Sequence, residues 1–350
     1  MAILACTMDE TRPLASALES TMYAQTEFME SPVADFKAML TKGNEGMKEC
    51  HYNRYWHGYL VALRPLLYFF DLPSIRWYSF ALFSILAGVL FTLIYRDFGM
   101  KFGILFIIML LHAKWLSGLP FSLDQNIVYF IMMISSIIIM ESKVLFKSTY
   151  NLPVFFVIIG ACTSFMDFLT APVLTLGFPL IITFLKRGNT EVRQQLFIIA
   201  TCSFAWCFGY VGMWAAKWVL CAPFSSDAPI FDIVKGSLKQ RSIGEYTFDV
   251  CRFCRFIFYP LPDLGIHWWT SVVSALIFTL GLHLSYLYIR YRKQFINNIC
   301  YLILAIFPVL WFMGTSQHTV IHLMFTYRIV ELAFVGYGIF AIKVHQKKAA

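Results

Sequence analysis

Several sets of residues in this chain could do chemistry. HYNRYWHGYLVALRP, residues 51–65, carries Arg54, His57 and Arg64 among aromatic residues. On helical spacing Arg54, His57, Val61 and Arg64 share one side, while Tyr52, Tyr55, Trp56, Tyr59, Leu60 and Leu63 share the other. Such a helix would lie along a membrane surface, aromatic face down, and offer two guanidinium forks and an imidazole to a lipid-linked phosphate or pyrophosphate. The same pattern equally suits ordinary anionic lipid.

A second set consists of ionisable groups in apolar stretches, where an uncompensated charge costs at least about 2.5 kcal/mol. Asp167 precedes a stretch holding Pro172 and Pro179. It is either a general base or sugar-hydroxyl acceptor, or the cap of a tight turn. Lys217, between Trp214 and Trp218, reaches either an interfacial phosphate or, by snorkelling, water. Arg328 and Glu331 lie one turn apart and either pair or leave Arg328 to a donor phosphate. His318 and His322 have i, i+4 spacing, but residues 319–321 supply no carboxylate. They read as pocket-lining or interhelical groups rather than zinc ligands, although a divalent metal stays open. In segment 222–267, Lys235, Lys239 and Arg241 precede CRFCRF, residues 251–256. That strip suits lipid headgroups, and its lone CxxC is a weak metal or redox signal.

The elements that must position these groups are apolar helices. In 350 residues, 59% are hydrophobic and 14% charged, against roughly 25% charged in soluble domains. Residues 77–95, 168–185, 268–289 and 299–317 carry no Asp, Glu, Lys or Arg. Residues 195–221 and 319–342 are as apolar but hold internal charges, and 102–113, 127–140 and 152–166 are shorter. The expectation is an all-α polytopic membrane protein with about nine crossings, each needing about 20 residues, and amphipathic interfacial helices in two external segments.

Alternation of those runs puts Arg96, Lys101, Lys143, Lys147, Lys186, Arg187, Arg193 and the basic residues at 290–293 and 343–348 on one side. The opposite short loops hold only Lys114, so the first side should be cytoplasmic. One membrane domain is expected: an external segment 1–74 with its interfacial helix, helices over 75–221, an external loop 222–267, helices over 268–343, and a cytoplasmic tail 344–350. The net charge of +8 forms no continuous basic face, so nucleic acid is not an expected partner.

RYWHGYLVALRPLL (54–67), DFLTAPVLTLGFPL (167–180), GYVGMWAAKW (209–218) and SQHTVIHLMFTYR (316–328), in that order, resemble a family of bacterial multi-pass membrane proteins with the architecture of GT-C glycosyltransferases. The resemblance runs over nearly the whole chain. It implies a bacterial cytoplasmic membrane, large loops outside, and a site at the outer face that uses polyprenyl-phosphate sugars. It also implies a catalytic carboxylate in the first external loop, and it places a polar external motif at Arg241, which makes that residue a further site candidate. Family members begin with a further hydrophobic span and an external acidic segment, so this chain resembles a member shortened at its start. Asp9 and Glu10 are then the nearest acids to that role, or else a turn or helix-start pair.

No P-loop, GxGxxG beside a strand, GxSxG or fixed-period repeat occurs, which argues against an ATP-driven pump. The leading expectation is sugar transfer from a polyprenyl-phosphate donor to a cell-envelope glycan or lipid. Asp167, or an acid of the N-terminal segment, would serve as base, with Arg54, Arg64 and Arg328 on the phosphate. Alternatives are a transporter or flippase of a lipid-linked glycan, and a non-catalytic subunit. The expected partners are membrane lipid and the lipid-linked sugar, with no cofactor apart from the open question of a metal.

Overall fold

The computed structural model describes residues 5, 7, 11–25, 32–43, 45–52, 54–188, 191–224, 235–236 and 266–346. Asp9, Glu10, Arg241 and the CRFCRF segment lie outside the described residues.

The N-terminal segment is not wholly helical. Helix α1 (Pro13–Glu19) ends at Ser20, which takes a left-handed conformation, φ 54°. Thr21–Ala24 (β1) then pairs antiparallel with Lys48–His51 (β2), Thr21 opposite His51, and helix α2 (Pro32–Lys42) fills the connection. This short hairpin corrects the all-α expectation locally, because Thr21 and Tyr23 favour extended backbone once the left-handed Ser20 has stopped the helix.

The remainder is a helical bundle. Its elements are α3 (Leu60–Phe69), α4 (Leu72–Phe98), α5 (Met100–His112), α6 (Ile127–Glu141), α7 (Asn151–Met166), α8 (Val173–Arg187) and α9 (Val192–Cys221). There follow α10 (Ile266–Arg290), α11 (Arg292–Asn297), α12 (Ile299–Gly314), the short α13 (Ser316–Ile321) and α14 (Leu323–Thr326), a 3₁₀ turn (Tyr327–Val330) and α15 (Glu331–His345).

Local signals set the boundaries. Asp71 caps α4 by accepting from the Ser74 amide at 2.9 Å, Pro73 sits in the first turn, and Gly99, φ 94°, ends the helix. Along α4 the buried side chains are Ile75, Phe83, Ala87, Leu90 and Ile94. They form one stripe at steps of three, four and eight, while Trp77, Leu82, Ile85 and Val89 face outward.

Helix α8 is the centre, buried at every position from Val173 to Leu185 and packed by α6, α7, α9, α12 and α15. Helices α7 and α9 touch backbone to backbone. A Cβ on Gly160 would stand 2.1 Å from the Trp206 carbonyl oxygen, and one on Gly209 would stand 2.1 Å from that of Val157. The small residues permit this approach, a common device between helices that gain little from hydrophobic contrast.

Among the described residues, three helices are long and apolar enough to cross a membrane: Leu72–Phe98, Val192–Cys221 and the composite Leu323–His345. That is fewer than the nine expected. Of the other apolar runs, 268–289 lies in the 25-residue α10, and five fold as helices of 13 to 16 residues in α5, α6, α7, α8 and α12, reaching only about 20–24 Å at 1.5 Å per residue. They do not extend into their flanks because the flanks turn. Lys114 (φ 62°), Leu169 (φ 73°) and Gly188 (φ 71°) break the backbone at those points.

The helix ends gather into two groups. At one, Arg96 bonds Asp97 and Glu141, each at 2.7 Å, and Lys186 bonds Asp97 at 3.0 Å. Exposed pairs like these are worth about 0–1 kcal/mol, so they identify the end without doing much to hold it. The N-terminal segment covers the opposite end.

Candidate functional site

The segment 51–65 is not one amphipathic helix. His51 closes β2, turns and bends fall within residues 54–59, and α3 starts only at Leu60. The reason is tertiary. Trp56 donates its indole N–H to the Met213 carbonyl at 2.7 Å, Trp214 donates to the Arg54 carbonyl at 2.9 Å, and the Gly58 amide donates to Phe165 O at 2.9 Å. The last two use the Arg54 carbonyl and the Gly58 amide, backbone groups that a helix over this segment would have claimed for itself. At Gly58 a Cβ would lie 2.5 Å from the Phe165 ring, so only glycine lets the turn meet α7.

Arg54, His57 and Arg64 consequently do not share a face. Arg54 is half-buried in the turn, and its charge acts on His322. Arg64 donates to the Thr7 carbonyl at 2.9 Å. His57 is buried, takes φ 53°, and packs against Tyr52, Tyr55, Tyr59 and Phe168, with Nδ1 3.3 Å from the Tyr59 hydroxyl. Burial first, and the Lys217 charge second, hold its pKa down at about 3.

His57 is therefore neutral at ordinary pH and gives no cation to a phosphate. Its unfolded value is 6.5, so the unfolded chain binds this proton first as pH falls. The stability His57 permits is complete above about 6.5 and is lost as pH drops toward 3. Trp fluorescence of the purified protein should show the N-terminal segment loosening across that window, and His57→Asn, which tolerates a left-handed backbone, should flatten the profile.

Lys217 does not snorkel. It is fully buried, donates to the Leu18 carbonyl at the end of α1, and lies 5.4 Å from the Trp56 ring centre. The N-terminal segment covers the helix end and removes the water that a free lysine would have reached.

Asp167 caps its own turn. Its carboxylate accepts from the Leu169 amide at 3.0 Å and from the amide and hydroxyl of Thr170, and the side chain is buried. Both oxygens are occupied, which favours a positioning role over that of a base. Asp167→Ala should lower stability by about 1–3 kcal/mol in thermal unfolding in detergent, with ligand affinity much less affected. His318 donates Nε2–H to the Leu169 carbonyl at 3.0 Å and so ties α13 to the same turn. The His322 ring lies 4.6 Å from that of His318. Among the described residues no third His, Cys, Asp or Glu joins them to hold a metal.

Arg328 and Glu331 do not pair as their spacing suggested. Arg328 starts from a 3₁₀ turn, and its Nη1 donates to Gln125 at 2.9 Å. Glu331 accepts from the Tyr129 hydroxyl at 2.6 Å and lies 3.2 Å from His112 Nδ1. The 3₁₀ geometry alters the register between the two residues, and the ends of α5 and α6 supply better-placed partners.

One arrangement at this end lies outside the reading of isolated residues. Leu63 and Leu67 of α3, Leu72 and Arg76 of α4, and the turn Phe121–Asp124 enclose a cavity of about 380 Å³, closed by Ala5 and Phe36. That volume falls in the range of small-ligand sites. Asp124 is half-buried and accepts from the Ser122 hydroxyl at 3.3 Å. Its turn is fixed from below: Ser79 donates to the Pro120 carbonyl at 2.8 Å, and Asn126 Nδ2 reaches Ser79 Oγ at 2.7 Å and Pro120 O at 2.9 Å.

Behind the cavity is Tyr59. Its burial, and next the Asp124 charge, push its phenol well above the ordinary range, so it stays protonated. Tyr68, Phe69, Trp77 and Tyr78 are all exposed at the junction of α3 and α4. The signal available in sequence was a charged residue at each of two span ends on one side, Arg76 before 77–95 and Asp124 before 127–140. Each alone resembles an ordinary loop charge.

Comparison of the chain with family models, curated proteins and solved structures gives no match.

Proposed function

We propose that the chain is an integral membrane transferase, moving a sugar from a polyprenyl-phosphate donor to a cell-envelope glycan or lipid acceptor. In this reading the bundle lies in a bacterial cytoplasmic membrane, the cavity end faces outward, and the basic helix ends face the cytoplasm. The short helices cross as members of the bundle, packed against the three long ones, which keeps the nine-crossing arrangement within the proposal.

The observation that carries the proposal is the apolar cavity bearing one carboxylate, Asp124, and one guanidinium, Arg76. Its leucine and phenylalanine walls suit the first isoprene units, and Arg76 suits the phosphate. Exposed aromatics beside it are the kind that settle at a membrane–water interface. Asp124 takes the proton of the acceptor hydroxyl, whose oxygen bonds to the anomeric carbon. The bond from that carbon to the donor phosphate oxygen breaks, its electron pair leaves with the polyprenyl phosphate, and Arg76 stabilises the added charge.

Membranes containing the full chain, given radiolabelled polyprenyl-phosphate sugar and an envelope acceptor, should pass label to the acceptor. Membranes lacking the chain should not. The buried Glu331 and Arg328 favour a second reading, transport of a lipid-linked glycan, since ionised groups inside spans commonly mark a path. Movement of labelled donor across sealed vesicles without sugar transfer would select it.

A further inference from the structure

The basic end carries a second cavity, remote in the fold from Asp124. It has a volume of about 510 Å³ and lies where α4, α5, α8 and α15 end or begin, lined by Asp97, Phe98, Phe102, Leu185, Lys186 and Lys343 among others. Its charges are unequally matched. Arg96 and Lys186 both bond Asp97, and Arg96 also bonds Glu141. Lys343 is half-buried, with its ammonium 5.6 Å from the Phe102 ring centre. Among the described residues no carboxylate stands within ion-pair distance of it.

A half-buried ammonium against an aromatic ring keeps most of its desolvation cost until an anion arrives. Lys186 lines the same cavity from the end of α8. The carbonyl ends of α8 and α15 attract these cations, and both lysines line the cavity.

We propose that this cavity binds the phosphodiester headgroup of an anionic phospholipid, held between Lys186 and Lys343. The phosphate chemistry alone would also fit inorganic phosphate. What favours lipid is the place of the cavity: Asp97 and Phe98 end the span Leu72–Phe98, and Lys343 lies in the last turn of the span Leu323–His345, which sets it at the level of lipid headgroups. Asp97 does not exclude the headgroup, because Arg96, Lys186 and Lys343 outnumber Asp97 and Glu141 and leave the cavity mouth positive.

The test uses the full chain purified in non-ionic detergent, with phosphatidylglycerol retention read by native mass spectrometry and thermal unfolding read alongside. Phosphatidylcholine and inorganic phosphate serve as comparison ligands. Wild-type protein should retain and be stabilised by phosphatidylglycerol over phosphatidylcholine, and K186Q/K343Q should weaken retention on the order of tenfold. K343R should retain the lipid, as should K143Q, which removes an exposed charge elsewhere. Equal stabilisation by inorganic phosphate would overturn the lipid assignment, and unchanged retention in a folded K186Q/K343Q would overturn the site. Neither result bears on Asp124 or on sugar transfer, which are measured separately.

Discussion

Asp124→Asn should lower sugar transfer by about 10²- to 10⁴-fold, the usual contribution of a positioned general base, while donor binding changes little. Asparagine preserves the size of the side chain and can still accept from Ser122, whose hydroxyl lies 3.3 Å from the carboxylate, but it cannot take the acceptor proton. Asp167→Asn should leave transfer much closer to normal, because both oxygens of Asp167 already serve its own turn. Arg76→Gln should act differently again, weakening donor binding as well as turnover, since a guanidinium on phosphate contributes in ground and transition states. Transfer rates with retention of labelled donor, measured on the three variants in one membrane preparation, separate these roles. Loss of activity in Asp167→Asn with Asp124→Asn unaffected would reverse the assignment of the base.

The second large effect is structural. Gly160→Leu, and independently Gly209→Leu, should cost about 3 kcal/mol or more and leave little folded protein in detergent. Each glycine faces a backbone carbonyl that a Cβ would approach to 2.1 Å, and backbone cannot move aside as a flexible side chain can. The consequence reaches the site. Helices α7 and α9 carry Phe165, Met213 and Trp214, the groups that dock residues 54–58. Separating the two helices should release the N-terminal segment and expose His57. Gly212→Leu is the matched comparison, since a Cβ there meets nothing within 4 Å, and it should fold nearly as well as the parent. Size-exclusion profiles and Trp fluorescence of these variants would show whether the α7–α9 contact holds this end of the bundle together.

The buried polar groups divide according to whether their partners are local. Asp167 and Thr170 are three residues apart and form their turn from sequence neighbours, so a cap was among the roles legible beforehand. Arg328 and Gln125 are 203 residues apart, and His112 and Glu331 are 219 apart. No periodicity relates residues so distant, and the nearer pairing of Arg328 with Glu331 was the natural expectation. Lys217 was misread for a related reason: its solvent is excluded by Leu18, 199 residues earlier in the chain.

By itself the sequence determined that the chain is mainly helical, where its long apolar helices run, and which charges fall inside apolar stretches. Those properties depend on composition and on a 3.6-residue period, both readable within a single window. Tertiary structure alone decided that residues 54–59 turn rather than coil into a helix, that several apolar runs stop short of a full crossing, and that Asp124 and Arg76 line one cavity. Each of those outcomes depends on hydrogen-bond partners or on space provided by another helix. Backbone groups with no partner must find one wherever packing offers it, and packing is a property of the assembled bundle rather than of any segment within it.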